Sequence, residues 1–65
     1  MCQMRVVLNK DGKQEKIMDA IQRLQVTAEG LVLNALFEKP MLIEGGRIEE
    51  IDFLDGVLVL SQADG

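Results

Sequence analysis

The sequence predicts an all-β fold, a small antiparallel barrel or roll of about six to seven short strands, assembled as a homodimer. Turn signals recur at short intervals, at Asp11-Gly12, Glu29-Gly30, Gly45-Gly46 and Asp55-Gly56. Each Gly can adopt the positive φ that tight hairpin connections demand. Between them lie runs rich in Val, Ile and Leu, which suit strands, and short strands with Gly-bearing turns suggest a small barrel or sandwich. Three runs are apolar at successive positions: Val6-Val7-Leu8, Leu31-Val32-Leu33 and Val57-Leu58-Val59-Leu60. Continuous apolar strands are expected where both faces are covered, and a chain of 65 residues has nothing left to cover the second. A second subunit would.

Taken in order, Arg5-Val6-Val7-Leu8 reads as a strand closed by Lys10-Asp11-Gly12, with Lys13 to Met18 returning as its hairpin partner. Residues 17–24 are ambiguous. Ile17, Ile21 and Leu24 have helical spacing, and Gln14 to Leu24 would make a three-turn amphipathic helix. Leu24, Val26 and Ala28 instead alternate with polar neighbours at the strand period. The favoured reading is two strands joined near Asp19-Ala20, with room for one helical turn there.

Leu31 to Phe37 forms the next strand, and Lys39-Pro40 interrupts it because proline donates no ladder hydrogen bond. Met41 to Glu44 is short and ends at the Gly pair. In Arg47 to Leu54 the apolar positions Ile48, Ile51 and Phe53 are spaced by three and then two. An extra residue at Glu49 or Glu50, a β-bulge, would restore the alternation. Val57 to Leu60 completes the fold, and Ser61 to Gly65 reads as a frayed tail.

Sixty-five residues make one domain, 1–65. Such a chain buries only about 60% of its unfolded surface, so small proteins add disulfides, a structural metal or a partner subunit. One cysteine and no histidine exclude an intrachain disulfide and an ordinary Cys/His zinc site. A cyclic pair of subunits is the remedy that fits. The formal charge is 7 − 11 = −4, and there are two phenylalanines with no Tyr or Trp. That balance lacks both the positive field and the stacking platforms that nucleic acid needs. No run approaches ~18 apolar residues, and the N-terminus lacks the plan of a signal peptide, so the expected location is cytoplasmic without a membrane partner. A thiol there stays reduced.

Chemistry concentrates at the chain start, Met1-Cys2-Gln3-Met4. Met1 is a substrate for removal before a small residue such as cysteine, which would leave a free amine on Cys2. That amine and the Cys2 thiolate then close a five-membered chelate ring. Two such residues across a two-fold axis would offer two nitrogens and two sulfurs, a set that suits square-planar nickel(II), one ion per dimer. Binding would release protons, since a free thiol titrates near ~8.5 and an α-amine near ~7.7–8.0. If Met1 stays, a deprotonated backbone amide has to replace the amine. The bland alternative is a small residue at the start of a strand.

The acidic group Glu49, Glu50, Asp52 and Asp55 lacks calcium-loop spacing, and strand alternation is expected to send its members to opposite faces. It reads as a solvated strand edge that discourages aggregation. Met4, Met18 and Met41 are expected to fill the core rather than bind copper(I). Without histidine there is no Cys–His nucleophile pair, no Gly-rich phosphate loop precedes a helix, and no enzyme is expected.

The chain resembles the CooT family, small nickel-binding accessory proteins linked to maturation of carbon monoxide dehydrogenase. The matching residues are Met1-Cys2, Arg5-Val6-Val7-Leu8, Leu36-Phe37-Glu38, Gly46-Arg47-Ile48, Ile51-Asp52-Phe53-Leu54 and Gly56-Val57-Leu58. The resemblance implies a nickel(II)-binding homodimer whose essential ligand, matching Cys2, lies at the subunit interface. It also implies a partner in carbon monoxide dehydrogenase or its maturation factors. The rival reading is a small-barrel RNA- or protein-binding adaptor in which Cys2 is incidental.

Overall fold

The computed structural model describes residues 3–63, so Cys2 lies outside the described residues. Six strands follow in order: β1 (Met4–Lys10), β2 (Lys13–Val26), β3 (Gly30–Ala35), β4 (Met41–Glu44), β5 (Gly46–Asp52) and β6 (Val57–Gln62). They form one sheet in the order β4-β3-β2-β1-β6-β5. All neighbours are antiparallel except β1 and β6, which pair in parallel from Arg5↔Val57 to Asn9↔Ser61.

Of the expected small antiparallel barrel or roll of six to seven strands, the all-β class and the strand number hold, while two features are corrected: one pair is parallel, and the sheet is not closed into a barrel, since the edge strands β4 and β5 share no ladder. They are nonetheless consecutive in sequence, with only Gly45 between them. Because both edges must meet at that residue, the sheet coils back on itself. Gly45 N–H donates to Glu29 O at 2.9 Å, and Gly45 O accepts from Ala63 N–H at 3.2 Å. One residue thus ties the two edges together at one end of the sheet.

β1 and β2 form the hairpin that Asp11-Gly12 predicts. Both central residues have positive φ, 53° and 77°, as in the type I′ turn whose twist matches that of the strands. The ambiguous stretch 17–24 contains neither a helical turn nor a strand break. β2 runs 14 residues through it, and Ala20 takes φ +50° where the register between Met4↔Ile21 and Val6↔Met18 slips. A bulge bends the strand there, so two predicted strands become one.

The bulge expected at Glu49 or Glu50 is present. Ile48 pairs with Leu60 while Glu50 pairs with Val59, leaving Glu49 as the extra residue. β3 ends earlier than expected, at Ala35, because Leu36-Phe37 turns, with Glu38 N–H donating to Ala35 O at 3.2 Å. Ser61 and Gln62 of the expected tail belong to β6.

The coiled sheet buries Val6, Met18, Leu31, Leu33, Ala35, Ile43, Leu58 and Leu60, with Met4 and Met41 packed against them. Each fully buried aliphatic contributes about 1.5–3 kcal/mol. Met4, Met18 and Met41 therefore fill the core, as expected. On the outer face the alternate residues Val7, Val32 and Val57 are half-buried, and Val59 is 8% exposed. Long polar neighbours account for part of this cover, because their stems can lie along apolar surface.

Candidate functional site

The sequence directs attention to the chain start. Cys2 itself lies outside the described residues, but the residues that follow it are well placed. Gln3 is exposed, and Met4 opens β1. Arg5 N–H donates to Gly56 O at 2.9 Å, so the start of β1 is pinned against the β5–β6 connection. Gly56 has φ +72°, and a Cβ there would stand 2.8 Å from Gln3 O. Only glycine lets these two segments approach so closely.

The β5–β6 connection is itself built by Asp52. Its Oδ1 accepts from Asp55 N–H at 2.9 Å, and its carbonyl accepts from Gly56 N–H at 2.8 Å. On the other side of the chain start, Gln3, Met4, Arg5, Asp19 and Ala20 line a shallow depression of about 250 Å³. Asp19 Oδ2 lies 2.8 Å from Lys16 Nζ, an exposed pair that contributes little stability.

Register shows what else converges here. Met4 pairs with Ile21, which pairs with Ala35, so the β3–β4 connection lies at the chain-start end of the sheet. Arg5 pairs with Val57, which places the β5–β6 connection at the same end. These two connections carry the most exposed large apolar side chains, Leu36 (60%), Phe37 (97%), Phe53 (76%) and Leu54 (100%), apart from Val26. The Asp11-Gly12 hairpin and Gly45 lie at the opposite end. β3 and β5 end at Ala35 and Asp52, before Leu36-Phe37 and Phe53-Leu54, which the sequence reads as strand ends and as segments of family likeness. Their convergence depends on the parallel β1–β6 pair, which no local pattern announces.

The acidic residues are not divided between faces as expected, since Glu50 and Asp52 are two apart on β5 and alternation itself keeps them together. Glu50 and Asp52 pair with Val59 and Val57 and share the outer face, and Asp55 lines the same groove. Glu49 Oε2 accepts a 2.7 Å hydrogen bond from Ser61 Oγ. Among the described residues, no group of three or more Cys, Asp or Glu could hold a metal ion. A solvated strand edge remains the right description.

The fold and chain start define a small all-β protein whose described residues carry no assembled metal or acid–base cluster. The family model for CooT, the CO dehydrogenase accessory protein, matches residues 1–61. The chain belongs to the CooT family. A crystal structure assigned to CooT of Carboxydothermus hydrogenoformans has the same fold, with a TM-score of 0.84 at 24% identity over 97% of this chain and 100% of that one. No curated protein matches the chain.

Proposed function

We propose that this protein binds nickel(II) through Cys2 at a homodimer interface, one ion per dimer, and supports nickel supply to carbon monoxide dehydrogenase. The observation that carries this reading is the convergence at the chain start. Backbone next to Cys2 is held by the Gly56 contact, at the end of the sheet where the exposed apolar turns gather. A pinned backbone fixes the direction from which the first residues leave the sheet, and exposed apolar turns beside it are suited to a protein contact. Membership in a family of CO dehydrogenase accessory proteins supplies the recipient.

The ligands would come from Cys2 and backbone or terminal nitrogen, duplicated by the second subunit. Thiolate with nitrogen donors in a plane matches nickel(II) geometry. Affinity order alone favours copper(II), so selectivity would rest on geometry and supply. Titrating nickel into the apo protein should give thiolate-to-nickel charge-transfer absorption, with a breakpoint near half an ion per chain. A Cys2→Ser variant that binds nickel as tightly as the parent would sink the proposal.

A further inference from the structure

The coiled sheet leaves one seam open. β4 and β5 flank the same residue, Gly45, yet stand on opposite edges of the sheet and share no ladder. The gap between them is therefore closed at Gly45 and opens toward the chain-start end, where the exposed Phe53 and Leu54 follow β5. Among the described residues β4 pairs only with β3, and β5 only with β6. Each thus offers an unpaired row of backbone N–H and C=O groups to the seam.

The two edges differ. β4 has four residues and follows Pro40, the kind of short, proline-fronted edge that resists pairing. β5 has seven residues with neither proline nor lysine. Its cross-strand partners fix its faces. Ile48 lies opposite Leu60 and Ile51 opposite Leu58, both core residues, so the two isoleucines point inward. They are nevertheless 39% and 42% exposed, because among the described residues no strand lies beyond β5 to cover them. Glu50 and Asp52 lie opposite Val59 and Val57 on the outer face, and Glu49 reaches Ser61 on the same side.

We infer that the β5 edge receives an extended segment of a partner protein, added as a seventh strand, in which apolar residues alternate with lysine or arginine. Strand addition draws affinity from main-chain hydrogen bonds and specificity from alternate side chains. An added strand sets every second side chain inward beside Ile48 and Ile51, and the others outward beside Glu50 and Asp52. Apolar side chains complement the first set and cations the second, since Arg47 stands alone against Glu49, Glu50, Asp52 and Asp55 along this edge and its turn. The bulge at Glu49 twists the edge, so pairing is centred on Glu50-Ile51-Asp52, between the bulge and Phe53. The same acids reject other occupants. A second copy of β5 would set carboxylate beside carboxylate, and nucleic acid would meet a negative edge. The inference requires neither nickel nor Cys2.

The probe is an acetylated, amidated octapeptide alternating lysine and valine. It is titrated into the full apo chain with a chelator present, and backbone amide shifts and exchange are followed by NMR. Shifts and slowed exchange should centre on Ile51 and its neighbours in β5 and be absent from the Asp11-Gly12 hairpin. Replacing the peptide's lysines with glutamate should weaken binding roughly ten-fold or more, because several cross-strand charge pairs change sign. Glu49→Lys with Glu50→Lys in the protein should weaken the lysine peptide similarly and reverse the preference between the two peptides. Asp52 is left intact because it builds the turn. Two further peptides carry N-methyl groups on the lysines alone or on the valines alone. Alternate N–H groups of an added strand face its neighbour, so one methylated peptide should lose roughly ten-fold or more and the other should bind as the parent peptide does. If the double variant fails to fold, the four peptides decide on the parent chain. A lysine peptide that does not bind at millimolar concentration, or that binds away from β5, would overturn the inference. So would a glutamate peptide that binds equally well, or two methylated peptides that behave alike. Protection of the β5 amides that rises with protein concentration without peptide would make a second copy the occupant and would also overturn it.

Discussion

Replacing Gly56 with alanine tests whether the chain start is held as the geometry indicates. Two effects add at that position. At φ +72° a Cβ meets the unfavourable left-handed region, at a cost of about 1–2 kcal/mol. The same Cβ would lie 2.8 Å from Gln3 O, a backbone atom with no rotamer through which to withdraw. Relief requires the chain start to move, and movement stretches the 2.9 Å bond from Arg5 N–H to Gly56 O. Losing that bond costs about 0.5–1.5 kcal/mol more. Alanine also restricts the unfolded chain, which returns about 0.4–1 kcal/mol. The net expectation is a loss of about 1–2.5 kcal/mol, or roughly 5–15 °C in melting temperature for a domain of this size. Thermal and urea unfolding measure the loss, and amide exchange at Arg5 reports the bond. On the proposed function, nickel affinity should fall beyond what the lost stability explains. A Gly56→Ala variant that melts within a degree of the parent, with Arg5 still protected, would refute the argument.

Ala20→Gly should raise stability by up to about 1 kcal/mol in urea unfolding, because relief at φ +50° offsets the added freedom of the unfolded chain. Leu33→Ala, at a site with no exposed surface, should lose about 2–5 kcal/mol and leave the chain largely unfolded by circular dichroism. Phe37→Gly should leave stability unchanged or raise it, since the ring is 97% exposed and its backbone sits at φ +64°. A clear loss in the isolated apo monomer would show that Phe37 supports the fold rather than a contact.

Much of this fold is legible locally. The Asp11-Gly12 hairpin follows from residues that tolerate positive φ, and the three-then-two spacing of Ile48, Ile51 and Phe53 marks the bulge at Glu49. The long β2 is harder to read because its bend falls on Ala20, a residue with no turn signature, while helical spacing competes around it. Long-range pairing is not legible at all. Nothing local says that β6 lies parallel to β1, or that β4 and β5, joined by one residue, end up on opposite edges. Glu50 and Asp52 share a face simply because they are two apart on β5, so that part of the charge placement is legible in the spacing, and the expectation of opposite faces misreads it.

The positive-φ residues other than glycine separate the two ends of the molecule. Asp11 lies in the far hairpin, where aspartate is among the side chains that tolerate this region. Ala20 and Phe37 have no such tolerance, and both sit at the chain-start end, beside Met4 through the Met4–Ile21–Ala35 register. Each costs on the order of 1–3 kcal/mol in an isolated domain with little stability to spare. Gly45 closes the coiled sheet at the opposite end with both of its backbone groups bonded. Strain and exposed apolar surface are therefore concentrated where the chain begins, and closure is concentrated where it does not. This division of labour supports an interaction role for the chain-start end independently of any single residue there, and it explains why the most exposed aromatic ring also has one of the least favourable backbones.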